Sequence, residues 1–293
     1  MTATPRVLGT TNCDSVSGRA SSFSSLRKGR GDVKRSITPS GRAASREIFA
    51  SRALSLAAAA AVIGPPLYVM VTLLHPPGVA DDHPATFRQY AMDHNWVVIH
   101  LAQLAFLVAG LAGLAGVALS IFRLQERGRL LAFVAVCLAA ASIPTAIALQ
   151  AVDGIALKRA VDAWVAEGGT VGSAGFAAAR AVRWVEEGLN ACFGLTLGSA
   201  AVLIGAAMAR GSLYPRLLGW TGAVIGVGVL VGSVIVAETG FSPAAQVWVL
   251  ARNPALWLWT AVAGVLMWRR LRLLDATPPT SSLGPGQASE PAR

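Results

Sequence analysis

Six long apolar segments constrain the fold of this chain more than any other feature of its sequence. A bilayer core about 30 Å thick is crossed by about 20 helical residues. The first five segments reach that length, and the sixth reaches it with the leucines that follow residue 268. Because lipid offers no hydrogen-bond partners to the backbone, such segments must be helices. The sequence therefore predicts an all-α, polytopic membrane helix bundle with six transmembrane helices, at about 53–74, 97–122, 130–150, 191–209, 217–237 and 254–274.

The composition excludes several other classes of protein. Hydrophobic residues make up 54% of the 293 residues and charged residues only 14%, with a mean hydropathy of +0.55. In soluble domains about a quarter of the residues are charged. These values exclude a disordered chain, a soluble nucleic-acid-binding protein and a disulfide-rich secreted domain. The predicted partners are membrane lipids, and no nucleic acid is expected.

Both ends of the chain are predicted to be disordered tails flanking a transmembrane domain at 51–274. Residues 1–50 are rich in Ser, Arg and Gly and lack apolar periodicity, and residues 275–293 form the predicted C-terminal tail. Ten Lys/Arg and three Asp/Glu lie in residues 1–52, so this region supplies +7 of the net charge of +10. A basic cytoplasmic tail fits this pattern, although an Arg- and Ser-rich, acid-poor segment also resembles a transit peptide.

The charges of the loops predict the orientation of the bundle. The two termini and the loops after segments 2 and 4 hold 19 Lys/Arg, whereas the other three loops hold six. By the positive-inside rule, both termini are cytoplasmic. A signal peptide cleaved after Gly78-Val79-Ala80 is the alternative for the first segment, but its apolar part exceeds the usual length of about 7–15 residues.

The long connection between segments 3 and 4, residues 151–190, predicts two amphipathic helices at the outer surface. Ile155, Val161 and Trp164 recur at roughly helical spacing among charged residues, and a second such stretch covers residues 176–189. The glycine-rich stretch 168–172 between them predicts a hinge.

Glycines at G-x-x-x-G spacing predict where helices approach closely. They favour packing between helices of one chain, and a homodimer through the same faces is the alternative. The pairs are Gly194/Gly198, Gly222/Gly226 and Gly228/Gly232.

All four histidines lie between residues 75 and 100, on the predicted outer side, together with several aspartates. Imidazole and carboxylate are suitable ligands for zinc or another divalent metal. No H-E-x-x-H or other metal-site spacing occurs, so a polar loop in which Asp93 or Asn95 caps the second helix is the alternative interpretation. The candidate metal ligands are His75, His83, His94, Asp81, Asp82 and Asp93.

A second group of polar residues is expected at a similar depth on the outer side. His100 lies inside the second apolar segment, and Gln103 shares its helix face. Polar groups in membrane helices usually face the bundle or a water-filled cavity, which predicts an outward-facing pocket; bonding of His100 to a neighbouring helix is the alternative. The candidates are His100, Gln103, Gln150, Asp153, Glu187, Asn190 and Glu238.

Several motifs of catalysis and transport are absent from the sequence. There is no G-x-x-x-x-G-K-[ST] for nucleotide binding and no G-x-S-x-G for a serine nucleophile. No charged residue falls near the predicted bilayer centre, which disfavours an ion-coupled transporter.

The segment Leu213-Tyr214-Pro215-Arg216-Leu217-Leu218-Gly219-Trp220-Thr221-Gly222 resembles the turn that opens the fifth helix in some bacterial multi-pass membrane families. The stretch from Trp96 to Leu101 is similar to the start of their second helix. The resemblance is to the group catalogued as domain of unknown function 4386. It implies a six-helix bundle over roughly residues 50–275 and transfers no activity.

These observations favour a binding or structural membrane protein with an outward-facing polar pocket. One alternative is a metal-dependent membrane hydrolase that uses the His/Asp cluster, and a second is a passive channel or transporter subunit. No enzymatic activity and no cofactor are predicted, apart from the divalent metal that the cluster would hold. The Ala-, Gly-, Val- and Arg-rich composition is typical of a high-GC bacterium, which predicts the plasma membrane.

Overall fold

The computed structural model describes the backbone of residues 39–276 and the side chains of residues 52–274. Most of both predicted tails therefore lies outside the described residues. The bundle belongs to a compact unit that begins at Ala44. Its helices are α1 (Pro39–Thr72), α2 (His83–Met92), α3 (Trp96–Leu124), α4 (Arg129–Ala151), α5 (Lys158–Ala166), α6 (Ala174–Arg210), α7 (Arg216–Thr239) and α8 (Pro243–Ala276).

The described residues contain no β-strand, and six stretches are long and apolar enough to cross a membrane. This confirms the predicted all-α architecture with six apolar spans. Large apolar side chains such as Leu56 and Leu217 lie exposed on the outside of the helices, as lipid contact requires. The spans are Arg52–Thr72, Trp96–Leu124, Arg129–Ala166, Ala174–Arg210, Arg216–Thr239 and Pro243–Leu274.

Three helices begin well before the positions predicted from hydropathy, and the first is α1, which begins at Pro39 rather than near 53. Helix α6 begins at Ala174 rather than near 191, and α8 begins at Pro243 rather than near 254. The predicted second amphipathic stretch, residues 176–189, therefore forms the first turns of α6. At 1.5 Å per residue, the 37 residues of α6 extend over about 55 Å. This length exceeds a bilayer core of about 30 Å.

The connection between α4 and α6 continues the helix instead of forming an independent loop. A π-helical segment, Val152–Leu157, joins α4 directly to α5. The chain then turns at Gly168, Gly169 and Gly172, which all have positive φ, where glycine is favoured. The Ser173 hydroxyl caps α6 by accepting a hydrogen bond from the Phe176 N–H at 3.2 Å.

Helices α2 and α5 pack with the start of α6 at one end of the bundle. Their buried side chains form a small apolar group, here called the cap cluster, which is separate from the main core. The aromatic rings of this cluster meet edge-on or tilted, as in Phe87 and Trp164 with centroids 6.1 Å apart. Its members are Phe87, Tyr90, Trp96, Leu157, Val161, Trp164, Phe176 and Ala179.

The predicted glycine pairs pack against other helices of the same chain. A Cβ added at Gly198 would lie 3.0 Å from the Gly226 carbonyl oxygen, so α6 and α7 approach closely at these two residues. Gly194 lies against Ser233, and Gly222 lies against Trp259. Packing within one chain therefore accounts for these pairs, and a homodimer remains a prediction.

The segment that carries the family resemblance also has a physical role. Tyr214 precedes α7, and its hydroxyl shares a hydrogen bond of 2.8 Å with Ser120 of α3. Burial raises the pKa of Tyr214 to about 12. The Trp259 indole N–H donates to the Leu218 carbonyl at 2.9 Å. This turn therefore joins α7 to α3 and α8.

Candidate functional site

The structure brings three of the predicted site residues together at the end of the bundle that carries the cap cluster. They are His75, in the bend after α1, His100 of α3, and Asp153 of the π-helical segment. One ligand atom of each lies within 4.8 Å of the other two. This triad combines one residue of the predicted metal group with two of the predicted pocket group.

The ring of His100 is held in place on both sides. It is 2% exposed, and its Nδ1–H donates to the Trp96 carbonyl at 2.7 Å. Its Nε2 lies 3.1 Å from Asp153 Oδ2. The close approach depends on Gly154, since a Cβ there would lie 2.5 Å from the Cβ of His100. The π-helical segment thus places Asp153 beside the histidine, as such segments often do at functional sites.

His75 completes the triad from the loop that follows α1. Its ring centroid lies 4.9 Å from that of His100 and 4.6 Å from that of Trp96. Burial lowers the pKa of His75, and the opposing effect of the Asp153 carboxylate is smaller. The imidazole is therefore neutral at neutral pH, which is the form that binds metals.

Two buried polar atoms of the triad lack hydrogen bonds. Among the described residues, none makes a hydrogen bond of acceptable geometry with His100 Nε2 or with Asp153 Oδ1. Buried polar atoms are nearly always satisfied, so an unsatisfied one indicates a water, an ion or a functional requirement.

The other predicted metal ligands lie apart from the triad. Asp82 Oδ1 accepts the Ala85 N–H at 2.9 Å and caps α2, and Asp93 Oδ1 accepts the Asn95 N–H at 2.8 Å before α3. His94 is exposed. His83 stacks on Phe87 with centroids 5.7 Å apart. These contacts are those of a polar loop, but the predicted cap on the second apolar helix is not seen, because the N-cap residue Asn95 makes no side-chain hydrogen bond to α3.

A cleft of about 320 Å³ opens beside the cap cluster, between α2, α6 and α7. It lies on the far side of Tyr90 from the triad, because Tyr90 contacts both His75 and Arg183. Its polar lining includes three carboxylates and one guanidinium. The lining includes Asp81, His83, Arg183, Glu187, Glu238 and Phe241.

Arg183 and Glu186 form a buried ion pair at the base of this region. They are 8% and 3% exposed, and Arg183 Nη1 donates to both carboxylate oxygens of Glu186, at 3.0 and 2.8 Å. The guanidinium also packs over the Phe241 ring, 4.3 Å from its centroid. Glu187 accepts a long hydrogen bond of 3.5 Å from the Phe241 N–H.

Only two of the seven predicted pocket residues line the cleft. Glu187 and Glu238 line the cleft, whereas His100 and Asp153 belong to the triad. Gln103 Nε2 donates to the Thr72 hydroxyl at 3.2 Å and joins α3 to α1. Gln150 is buried and Asn190 is half-buried, and neither lines the cleft. The sequence predicts these residues at a similar depth, but the helices direct their side chains to different places.

Sequence reasoning assigned Arg252 to an outer loop, but the structure places it inside α8. It is 7% exposed, and its Nη1 donates to the Val229 carbonyl and to the Ser233 hydroxyl, both at 2.9 Å. The mostly apolar stretch 244–251, which precedes Arg252, could have indicated that the helix starts earlier. The buried pair of Arg183 and Glu186 was also missed, although its i, i+3 spacing is typical of paired helix residues.

Comparisons with protein-family models, with curated proteins and with solved structures give no match. The resemblance of the segment around Tyr214 to membrane families of unknown function therefore stays a prediction.

Proposed function

We propose that this chain is a multi-pass membrane protein that binds a small organic cation, such as an alkyl diamine, in the cleft between α2, α6 and α7. The observation that carries this proposal is the charge of the cleft. Asp81, Glu187 and Glu238 contribute three carboxylates. Arg183 is the one Lys or Arg among the described residues that line it, and its single positive charge is shared by Glu186 at 2.8 Å and Glu187 at 4.0 Å.

His83 does not offset the negative charge. Burial lowers its pKa below the ordinary value of 6.5, more strongly than the nearby Glu187 raises it. The imidazole is therefore neutral at neutral pH. A cleft with unneutralised carboxylates attracts cations and repels anions.

The size of the cleft supports a small ligand. A volume of about 320 Å³ lies at the lower end of the range for small-molecule sites, about 300–1,000 Å³. Thr86, Trp184 and Phe241 supply both apolar and hydroxyl surface around the carboxylates. A short carbon chain with one or two ammonium groups fits this lining.

Titration calorimetry of the purified protein in detergent tests the proposal, with 1,4-diaminobutane as the probe. We expect binding of the diamine and none of 1,4-butanediol, which has the same carbon chain without charge. Because a hydrogen bond to a charged group contributes about 1.5–3 kcal/mol, Glu238→Gln should weaken binding by about 10- to 100-fold.

Glu167→Gln is the matched control, because Glu167 is an exposed carboxylate in the turn before α6 and does not line the cleft. It should leave the diamine affinity unchanged. The proposal would be contradicted if the diamine and the diol bound equally or if neither bound. It would also be contradicted if the two glutamine variants lost the same amount of diamine affinity.

We further propose that the protein lies in the plasma membrane of a bacterium with both termini in the cytoplasm. The uneven distribution of Lys and Arg supports this orientation, with 19 on the predicted inner side and six on the outer side. The cleft and the triad would then face the outside of the cell.

Cysteine labelling tests this orientation. In a background in which Cys13, Cys137 and Cys192 are replaced by serine, we expect a membrane-impermeant maleimide to label Thr170→Cys on intact cells. Glu126→Cys should react only after the cells are permeabilised. Both residues are exposed in the turns that join helices. Labelling of Glu126→Cys from outside would reverse the orientation.

A further inference from the structure

We propose that His75, His100 and Asp153 bind a divalent transition-metal ion, and that zinc suits this donor set best. The site is separate from the cation cleft and does not depend on it. The three donors come from three parts of the chain, namely the loop after α1, helix α3 and the π-helical segment. The fold has brought their ligand atoms to within 4.8 Å of one another.

The hydrogen bond of His100 prepares its other nitrogen for a metal. A carbonyl oxygen can only accept, so the bond to Trp96 requires a proton on Nδ1. In the neutral ring, Nε2 then carries the lone pair, and it points toward Asp153 Oδ2. Metal-bound histidines usually donate their second ring N–H to a backbone carbonyl or a carboxylate in this way.

The separation of the donors suits tetrahedral zinc. Zinc bonds to nitrogen and oxygen of about 2.0–2.2 Å in a tetrahedral arrangement place ligand atoms about 3.3–3.5 Å apart. The separation of 3.1 Å between His100 Nε2 and Asp153 Oδ2 is close to this value. His75 lies in a loop rather than in a helix, so it can approach by rotation of its side chain.

The chemistry of the donors selects among metals. Two imidazoles and one carboxylate favour zinc or a similar transition metal, whereas calcium and magnesium prefer oxygen ligands alone. Three protein ligands leave a fourth position for water or for another small molecule, as in catalytic zinc sites. The unsatisfied Asp153 Oδ1 would remain available for a second bond to the ion or to that water.

A simple ion pair between protonated His100 and Asp153 is the competing explanation, and His75 distinguishes the two. An ion pair needs only His100 and Asp153. His75 meets His100, Tyr90 and Trp96 through ring contacts, so its removal leaves the pair intact. Only metal binding requires it.

The experiment uses the full-length protein in detergent, stripped with a chelator and titrated with zinc chloride. We expect one zinc per chain by elemental analysis after dialysis, and a melting temperature that rises with zinc concentration. His75→Gln and Asp153→Asn should each weaken zinc binding at least tenfold. His83→Gln and His94→Gln are the matched controls and should bind zinc as the unmodified protein does.

Cobalt provides a second readout that does not depend on any variant. Co²⁺ in place of zinc should give the strong visible absorption of a tetrahedral site, and zinc should displace it. The proposal would be overturned if the protein retained no zinc or if His75→Gln left the zinc affinity unchanged. It would also be overturned if the His83 or His94 variant lost zinc affinity. Diamine binding in the cleft should be unchanged in His75→Gln, so the two proposals fail separately.

Discussion

Replacement of Glu186 by leucine is expected to lower the free energy of unfolding by about 3–5 kcal/mol, which is the usual cost of leaving a buried charge without its partner. Arg183 donates to both carboxylate oxygens of Glu186, and both side chains are buried. Glu187 compensates only in part, since its Oε1 lies 4.0 Å from Arg183 Nε and makes no direct hydrogen bond to it. The measurement is denaturant or thermal unfolding in detergent, followed by circular dichroism.

The double variant Arg183→Met and Glu186→Leu should regain most of the lost stability, because it removes both charges together. Asp162→Asn is the comparison at the surface, where Lys158 Nζ lies 2.7 Å from Asp162 Oδ1 and the aspartate is half-exposed. An exposed pair of this kind contributes about 0.2–1 kcal/mol. A small loss in Glu186→Leu, similar to that of Asp162→Asn, would show that the Arg183 charge is not stabilised by Glu186.

The positions of the spans follow closely from hydropathy where a helix is apolar from one end to the other. The predicted 97–122 and 217–237 correspond to α3, Trp96–Leu124, and α7, Arg216–Thr239. Both helices carry few charged residues along their length, and hydropathy averaged along the sequence detects such a run whether it faces lipid or the core.

The starts of α6 and α8 could not be predicted in the same way. A polar residue lowers the average hydropathy of its sequence segment whether or not its side chain has a partner. Whether it finds a partner inside the bundle depends on the fold. Arg183 is neutralised by Glu186 one turn away, and Arg252 bonds to Ser233 of a neighbouring helix. Pro254 lies inside α8 without ending it.

The two parts of the candidate site differ in how far the sequence predicted them. The sequence grouped the four histidines and expected His100 and Asp153 at a similar depth. It could not pair these two residues, because the pairing depends on the π-helical segment that begins at Val152. His75, rather than His83 or His94, joins the triad because of the path of the loop after α1. A loop has no periodic pattern in the sequence from which this path could be predicted.

Tyr90 connects the cleft to the triad, and Trp96 packs against Tyr90 and against both histidines of the triad. Tyr90 packs against Arg183 on the cleft side and against His75 on the other, and burial raises the pKa of its hydroxyl. Its ring lies 4.1 Å from that of Trp96. A change in either aromatic residue should therefore alter both sites.

Replacement of Trp96 by alanine is expected to cost about 3–5 kcal/mol of stability, the usual range for removing a fully buried large aromatic side chain. The Trp96 ring is completely buried, and its centroid lies 4.4 Å from that of His100. Its indole N–H also donates to the Asp153 carbonyl at 3.1 Å. The variant removes the ring contacts with His75 and His100 and the hydrogen bond that anchors the π-helical segment.

Trp96→Phe separates these two contributions, because it keeps an aromatic ring and removes only the indole donor and part of the volume. It should cost less than Trp96→Ala and should still weaken zinc binding, since the Asp153 backbone loses its anchor. Trp220→Ala is the matched control, because Trp220 is 62% exposed on the outside of α7. Thermal unfolding and zinc titration of the three variants are the measurements. A loss in Trp96→Ala no larger than that in Trp220→Ala would mean that the cap cluster does not contribute to the stability of the bundle, and the triad would then lack the rigid support that a metal site needs.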